Sequence, residues 1–446
     1  MSLHLSEDPP NKDNAENDVI KLLTEKVNQL YLYRDNYFEK NTTEDDACNK
    51  NKNVEEELRK TLSNFEQFKD LGQKNNRAIF FYLKGKALNV KHNHDSRAEE
   101  ALSKAVKLDP KLVDAWNELG ECYWKKDDII GAKTCFVGAL SHQKNKVSLR
   151  NLSMVLRQLP TKTLSDKISN IEESLLKAKE AVQLDPNDGI SWTILGNTHL
   201  SSFFTISYSP KTLKLSLSAY SQAEKDPYAR TKPDLYYNKA MALKYEEDYQ
   251  QALECFMRAI SLDPTWDTAR HKEEELCVYL ANVQELIASK GKLKGKKLQS
   301  LIQAIDEKQL GPYQCGTFLS SGNETVKIEH VQLSQLNPGV NPEKVILGKV
   351  VCSVVSEDGV PFTFCLVDKM ESCIAVTVYN FGKGYGVLIG DSVAIPEPFL
   401  TRVHVKHKGR EYQFDSLRVE RPVYMVVNGK NVSRDKEATV QHSYVK

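Results

Sequence analysis

The chain has 446 residues, room for two or three domains that each bury a core. Lys and Arg number 61 against 60 Asp and Glu; a net charge of +1 excludes generic coating of nucleic acid and leaves electrostatic partners to local patches. Nine scattered cysteines without a C-x-x-C pair fit buried thiols in a reducing compartment, and neither a leader-like N-terminus nor a long apolar run marks secretion or a membrane span. The expected location is cytoplasmic and nuclear.

Residues 1–16 are polar and proline-containing, and are expected to be disordered. Helical periodicity then runs through Val19, Leu22, Leu23, Val27, Leu30 and Tyr31, and again through Val54, Leu58, Leu62 and Phe65. From about residue 78 a longer register takes over. With Val113 as position one, preferred types fall at Trp116, Leu119, Gly120, Tyr123, Ala132, Phe136 and Ala139. Pro233 as position one gives Tyr236, Ala240, Leu243, Ala252, Phe256, Ala259 and Pro264. Stretched units carry Leu149, Leu152, Ser153 and Leu156, then Trp192, Leu195, Gly196, Tyr220 and Ala223. These are the packing positions of the 34-residue, two-helix tetratricopeptide repeat, abbreviated TPR. Small residues let the paired helices approach, bulky ones fill the remaining space, and proline stops the second helix. The string Leu-Asp-Pro at 108–110, 184–186 and 262–264 marks three such ends. A helix from Trp266 to about Ser289 is expected to cap the solenoid, which thus spans 17–289.

A basic hinge follows, Lys290, Lys292, Lys294, Lys296 and Lys297 interleaved with glycines, and 290–324 is expected to be hinge and linker. The period then changes. Val345–Val355, Phe362–Val367, Cys373–Tyr379, Ser392–Ile395, Leu400–Lys406 and Tyr412–Val419 are rich in β-branched and aromatic residues, with turn residues between. Five or six strands in this space fit a small β-barrel of OB type over 325–430. The tail 431–446 is expected to be disordered. The fold class is thus α+β and multidomain, an all-α TPR solenoid followed by a small β-barrel.

Gly382-Lys-Gly384-Tyr-Gly386 lacks the G-K-[ST] of a phosphate loop and is expected to be a hairpin loop. His92 and His94 lack a ligand set with metal spacing and fit an inter-helix loop. No catalytic residue, metal site or cofactor is expected. The first helix of each repeat lines a concave face, which gives Asn117, Glu118, Glu121, Trp124, Arg150, Asn151, Met154, Arg157, Thr193, Asn197, Asp234, Tyr237, Asn238 and Met241 as groove residues. Asparagines can hold a peptide backbone by donor and acceptor alike, and separated charges suit a short ligand with one residue of each sign. Lys406, Lys408 and Arg410 flank Tyr412 and Phe414, a pattern open to single-strand binding or to strand core and hairpin tip.

Long strings carry a more specific likeness: "GKALNV", "NKVSLRNLSMVLRQL", "SKGKLKGKKLQS", "VILGKVV" and "GVLIGDSVAIPEP". On these, the stretch from Leu22 to about Gly429 resembles the tetratricopeptide repeat protein 5 (Strap) family. The resemblance implies a role in tubulin autoregulation. The protein would engage ribosomes translating tubulin, read the nascent Met-Arg-Glu N-terminus, and recruit an mRNA-decay adaptor. It also implies an alternative role as a stress-responsive transcription cofactor of a histone acetyltransferase, with the OB domain touching DNA. In the first role it implies that Arg157 and Asp234 contact the peptide and that the hinge lysines Lys290–Lys297 meet ribosomal RNA. The resemblance also implies a third acidic groove position, at which this chain departs from the family: the aligned residue is Thr268, with Asp267 next to it.

Overall fold

A computed structural model describes residues 12–40, 44–207, 209–319, 325–355, 361–382 and 384–438. Among the described residues fifteen α-helices lie in order: α1 (Lys12–Asp35), α2 (Tyr37–Lys40), α3 (Glu44–Gln67), α4 (Lys69–Leu88), α5 (Ser96–Leu108), α6 (Val113–Lys125), α7 (Ile129–His142), α8 (Lys146–Leu156), α9 (Leu164–Leu184), α10 (Gly189–Ser202), α11 (Pro210–Ala223), α12 (Pro233–Tyr245), α13 (Tyr249–Leu262), α14 (Asp267–Ala288) and α15 (Gly295–Gln303). Packing divides the chain into two compact units. One holds Met1–Phe203, Pro210–Leu235 and Ala259–Trp266; the other holds Phe204–Ser209, Tyr236–Arg258 and Asp267–Lys446. So α14, expected as the solenoid's cap, belongs to the unit that contains the β-sheet.

In the first unit the repeat register is visible as contact. Helix pairs pack where the first helix carries a small residue. A methyl group at Gly120 would stand 2.6 Å from Phe136 Cε1, and one at Gly196 2.5 Å from Tyr220 Cε1. Where serine replaces glycine, at Ser153, its hydroxyl bonds Ser174 at 2.9 Å and Thr198 at 3.3 Å, so the buried polar atoms are satisfied. The Leu-Asp-Pro strings have a local cause. Asp109, Asp185 and Asp263 each accept the backbone N–H two residues on, at 3.0, 3.1 and 3.1 Å, an Asx turn that ends the helix and fixes the next entry. Trp116 and Trp192 then donate their indole N–H to the carbonyls of Pro110 and Pro186, both at 2.8 Å. Gly196→Ala is expected to lower stability by about 1–3 kcal/mol despite alanine's better helix propensity, because the buried Tyr220 ring must shift. Chemical denaturation with circular dichroism checks this.

The strands are β1 (Thr317–Leu319), β2 (Thr325–Lys327), β3 (Glu329–His330), β4 (Gly339–Val340), β5 (Lys344–Val354), β6 (Phe362–Val367), β7 (Cys373–Val378), β8 (Ser392–Pro396), β9 (Phe399–His407), β10 (Arg410–Val419), β11 (Val426–Val427) and β12 (Lys430–Asn431). β5 pairs antiparallel with β6, β6 with β7, and β7 runs parallel to β10. β10 pairs antiparallel with β9, and β8 returns antiparallel to β5. β8 and β9 are one strand bent at Glu397 and Pro398, where Glu397 takes φ +43° and proline offers no ladder donor. Counting them as one closes a five-stranded barrel in OB order. Ile346, Val350, Phe364, Leu366, Val376, Val393, Ile395 and Leu417 fill its interior.

The structure differs from four expectations. The stretch 290–324 is not mainly linker: Ile305, Leu310 and Tyr313 pack on Val345, Leu347 and Ala394, which covers the outer face of β5 and explains its almost continuous burial. Residues 320–324 lie outside the described residues. The tail is ordered to residue 438, with Val432 in the barrel core and Glu437 bridged to Phe381, while 439–446 lie outside the described residues. Of the N-terminal 1–16, residues 12–16 belong to α1 and 1–11 lie outside the described residues. The segment around Gly384 joins β7 to β8, which are not neighbours in the sheet, so it is a crossover rather than a hairpin loop. Among the described residues no helix is long and apolar enough to cross a membrane.

Candidate peptide-binding groove

The groove residues of the first unit separate into two classes. Two of those at position five, Asn117 and Arg150, turn toward the next repeat. Asn117 is buried and accepts from Ser148 Oγ at 2.7 Å, while its Nδ2 has no partner among the described residues. Arg150 pairs with Asp188 at 3.1 Å, and Thr193 donates to its own helix at Gly189 O. Asn117 and Arg150 thus hold repeat to repeat, while Thr193 stays within its own helix. Asn151, one position on, is half-buried and makes no side-chain hydrogen bond among the described residues.

Residues nearer the helix ends converge instead. Asn197 Oδ1 accepts from the Tyr220 hydroxyl at 2.8 Å, and Arg157, at the C-cap of α8, donates from Nη1 to Ser201 Oγ at 3.2 Å. Asp234 opens the first turn of α12, where a helix N-terminus favours a carboxylate. The Tyr220 hydroxyl is pushed above its usual range by burial and lies in the field of both ions, Arg157 lowering it and Asp234 raising it. Arg157 and Asp234 therefore act on one buried tyrosine with opposite sign. Asp234 is exposed, yet so much protein surrounds it that desolvation raises its carboxyl above the ordinary value, against the pull of two backbone N–H groups and of Lys232.

The periodicity did not reveal what α1 does. Its Tyr31 hydroxyl donates to Lys86 O at 3.0 Å and Arg34 Nη1 to Val90 O at 3.3 Å. Burial first, then Glu118 and Glu121, hold the Tyr31 hydroxyl protonated. Two expected groove acids thus face the chain's own first helix. Glu118 is also bonded by Asn89 Nδ2 at 3.2 Å, and its carboxyl is raised by burial first and by Glu121 second. Asp35, at the end of α1, takes Lys232 at 3.2 Å and the Tyr228 hydroxyl at 3.4 Å. That pairing draws the Lys232 ammonium onto a second carboxylate, two residues from Asp234.

In the second unit Tyr237 meets Phe256 edge-on at 5.9 Å, and Asn238 is half-buried without a side-chain hydrogen bond among the described residues. Asp267 is exposed and pairs with Arg270 at 3.3 Å. Of the hinge lysines, Lys290 reaches Glu371 at 3.3 Å and Lys292 reaches Glu285 at 2.8 Å. Lys294, Lys296 and Lys297 are exposed, without an acidic partner among the described residues, at the N-terminal end of α15. Tyr412 and Phe414 are buried, at 4% and 8% exposure, so neither ring is a platform for a stacked base. Single-stranded DNA at physiological salt is accordingly expected to bind the full chain weakly; a submicromolar complex that quenches tyrosine emission would contradict this.

The family model for the tetratricopeptide repeat protein 5 OB fold domain matches residues 327–441, and the tetratricopeptide repeat model matches 233–265. The chain is similar to tetratricopeptide repeat protein 5 of Homo sapiens, 51% identical over 413 residues that cover 92% of this chain and 93% of the relative. The Mus musculus protein is 50% identical over 425 residues, 95% of this chain and 96% of the relative. Among solved structures, the crystal structure of YrrB, described as a TPR protein with an unusual peptide-binding site, aligns with TM-score 0.30 and 22% identity over 45% of this chain and 95% of that one. With half of its residues shared along nine-tenths of its length, the chain belongs to the tetratricopeptide repeat protein 5 family.

Proposed function

We propose that this chain is a non-enzymatic adaptor that recognises the nascent Met-Arg-Glu N-terminus of tubulin at the ribosome and triggers decay of tubulin mRNA. The observation that supports the reading is the opposite charge of Arg157, bonded to Ser201 at the end of α8, and Asp234, in the first turn of α12, both felt at Tyr220, a pattern complementary to a peptide with adjacent arginine and glutamate. Each charge-assisted hydrogen bond contributes roughly 1.5–3 kcal/mol, and association itself costs several kcal/mol, so the groove alone binds weakly. A second anchor raises the effective concentration of groove near nascent chain. Lys294, Lys296 and Lys297 suit that task. Cations at a helix N-terminus oppose the helix dipole, and a phosphate placed there meets both the lysines and the free backbone N–H groups.

The alternative, a transcription cofactor that contacts DNA through the barrel, has less support, because the barrel's candidate stacking rings are buried. Fluorescence anisotropy with labelled Met-Arg-Glu and Met-Glu-Arg peptides tests the groove. The reading predicts tighter binding of the first, and equal affinities would remove its main support.

A further inference from the structure

The second unit gathers metal-ligating side chains in a place that peptide reading does not use. Glu273 and Cys277 stand one turn apart on α14, and His407 is the last residue of β9. One ligand atom from each lies within 4.8 Å of the other two. The thiol of Cys277 donates to Glu273 Oε1 at 3.6 Å, and His407 Nε2 meets the same oxygen at 2.5 Å. Lys408 Nζ holds the other carboxylate oxygen at 2.8 Å. The β9–β10 turn is two residues long, Lys408 and Gly409 with φ +46° and +75°, so it presents His407 and Lys408 from a fixed frame. Glu273 has a side chain only 1% exposed and His407 9%, whereas Cys277 is half-buried and leaves one side open.

We propose that Glu273, Cys277 and His407 form a zinc site whose fourth position is taken by water. One carboxylate oxygen, one imidazole nitrogen and one thiolate make a mixed donor set suited to tetrahedral zinc. With bonds of about 2.0–2.3 Å, ligand atoms in such a site stand roughly 3.3–3.8 Å apart. The sulfur–carboxylate separation is already there, and the histidine–carboxylate separation has to open by under about 1 Å. Zinc balances the carboxylate and the thiolate, Lys408 leaves the cluster with one positive charge, and the thiol proton leaves to solvent. Burial, with Glu273 adding to it, holds the metal-free thiol up at about 11, and the Tyr412 hydroxyl beside the sulfur is placed to bond the thiolate once it forms. Lys408 keeps its bond to Glu273 and orients it from outside, as outer partners of metal-bound carboxylates do. Lys408 by itself already balances the Glu273 charge. An ion pair alone therefore gives no reason to bring a thiol and an imidazole to the same oxygen. Zinc here ties α14 to the β9–β10 hairpin.

The test uses the full chain. After desalting, it is expected to hold one zinc per chain by elemental analysis, and the cobalt(II) form to show thiolate-to-cobalt charge-transfer absorption. Chelation should lower the thermal midpoint and added zinc restore it. In competition with a chromophoric chelator, Cys277→Ser and His407→Gln should each weaken zinc binding about tenfold or more. Cys315→Ser, at an exposed cysteine outside the cluster, should leave it unchanged. A folded wild-type chain that takes up no zinc at micromolar free metal would reduce the cluster to ion pairing and overturn the proposal. So would zinc held equally well by the Cys277→Ser, His407→Gln double variant.

Discussion

Replacing Asp234 by alanine is expected to weaken Met-Arg-Glu binding about ten- to a hundredfold while leaving the helical circular dichroism unchanged. The size follows from the loss of one charge-assisted bond, about 1.5–3 kcal/mol. The sign of the pH dependence follows from the raised carboxyl. Asp234 is anionic only above its folded pKa, so affinity for the arginine should fall on acidification earlier than for an ordinary aspartate. Bound guanidinium pulls that pKa down, and binding therefore releases protons where the free carboxyl is partly protonated. For folding, a carboxyl raised in the native state favours folding below its unfolded pKa, and that contribution is lost as pH rises through the folded pKa. At neutral pH the backbone N–H groups and Lys232 thus offset the desolvation of the Asp234 charge only in part. Asp234→Asn should hold or raise the thermal midpoint at neutral pH while losing the peptide, a separation that a purely structural aspartate would not give. An unchanged peptide affinity in folded Asp234→Ala would sink the assignment.

The second large effect is expected at the lysines of α15. Changing Lys296 and Lys297 together to glutamate should abolish co-sedimentation with ribosomes and leave free-peptide affinity in the groove as it was. Both side chains are exposed and unpaired with acids among the described residues, so the exchange disturbs little of the fold. If Lys294, Lys296 and Lys297 each neutralise one phosphate, ribosome affinity of the native chain should fall about twenty- to fortyfold between 50 and 200 mM salt. A variant that still pellets with ribosomes at physiological salt would place the anchor elsewhere.

Much of this architecture is readable from residue types because packing imposes a period. Gly120 opposite Phe136 and Gly196 opposite Tyr220 are positions where only a small residue fits, so the repeat could be counted from sequence. The strands from Lys344 to Val419 were legible for the same reason, β-branched runs between turns. What was not legible depends on contacts between residues far apart in the chain. Nothing local marks Asp35 as the partner of Lys232, or Glu118 and Glu121 as neighbours of Tyr31. Asn117 matches a groove asparagine by position, yet Ser148 from the next repeat claims its acceptor. Leu310 and Tyr313 sit in a Gly- and Ser-containing stretch whose composition suggests a linker, and the apolar outer face of β5 recruits them into a core. Glu273 and His407 are 134 residues apart in the chain, so their meeting could not be seen from spacing.

We propose that the chain selects ribosomes by the first residues of the nascent protein. Stalled ribosome–nascent chain complexes that differ only in the order of residues two and three, Met-Arg-Glu against Met-Glu-Arg, isolate that claim. Sedimented with the purified full chain at physiological salt, the first complex should retain it and the second should not, and Asp234→Ala should abolish the difference. Equal recovery on both complexes would contradict the account.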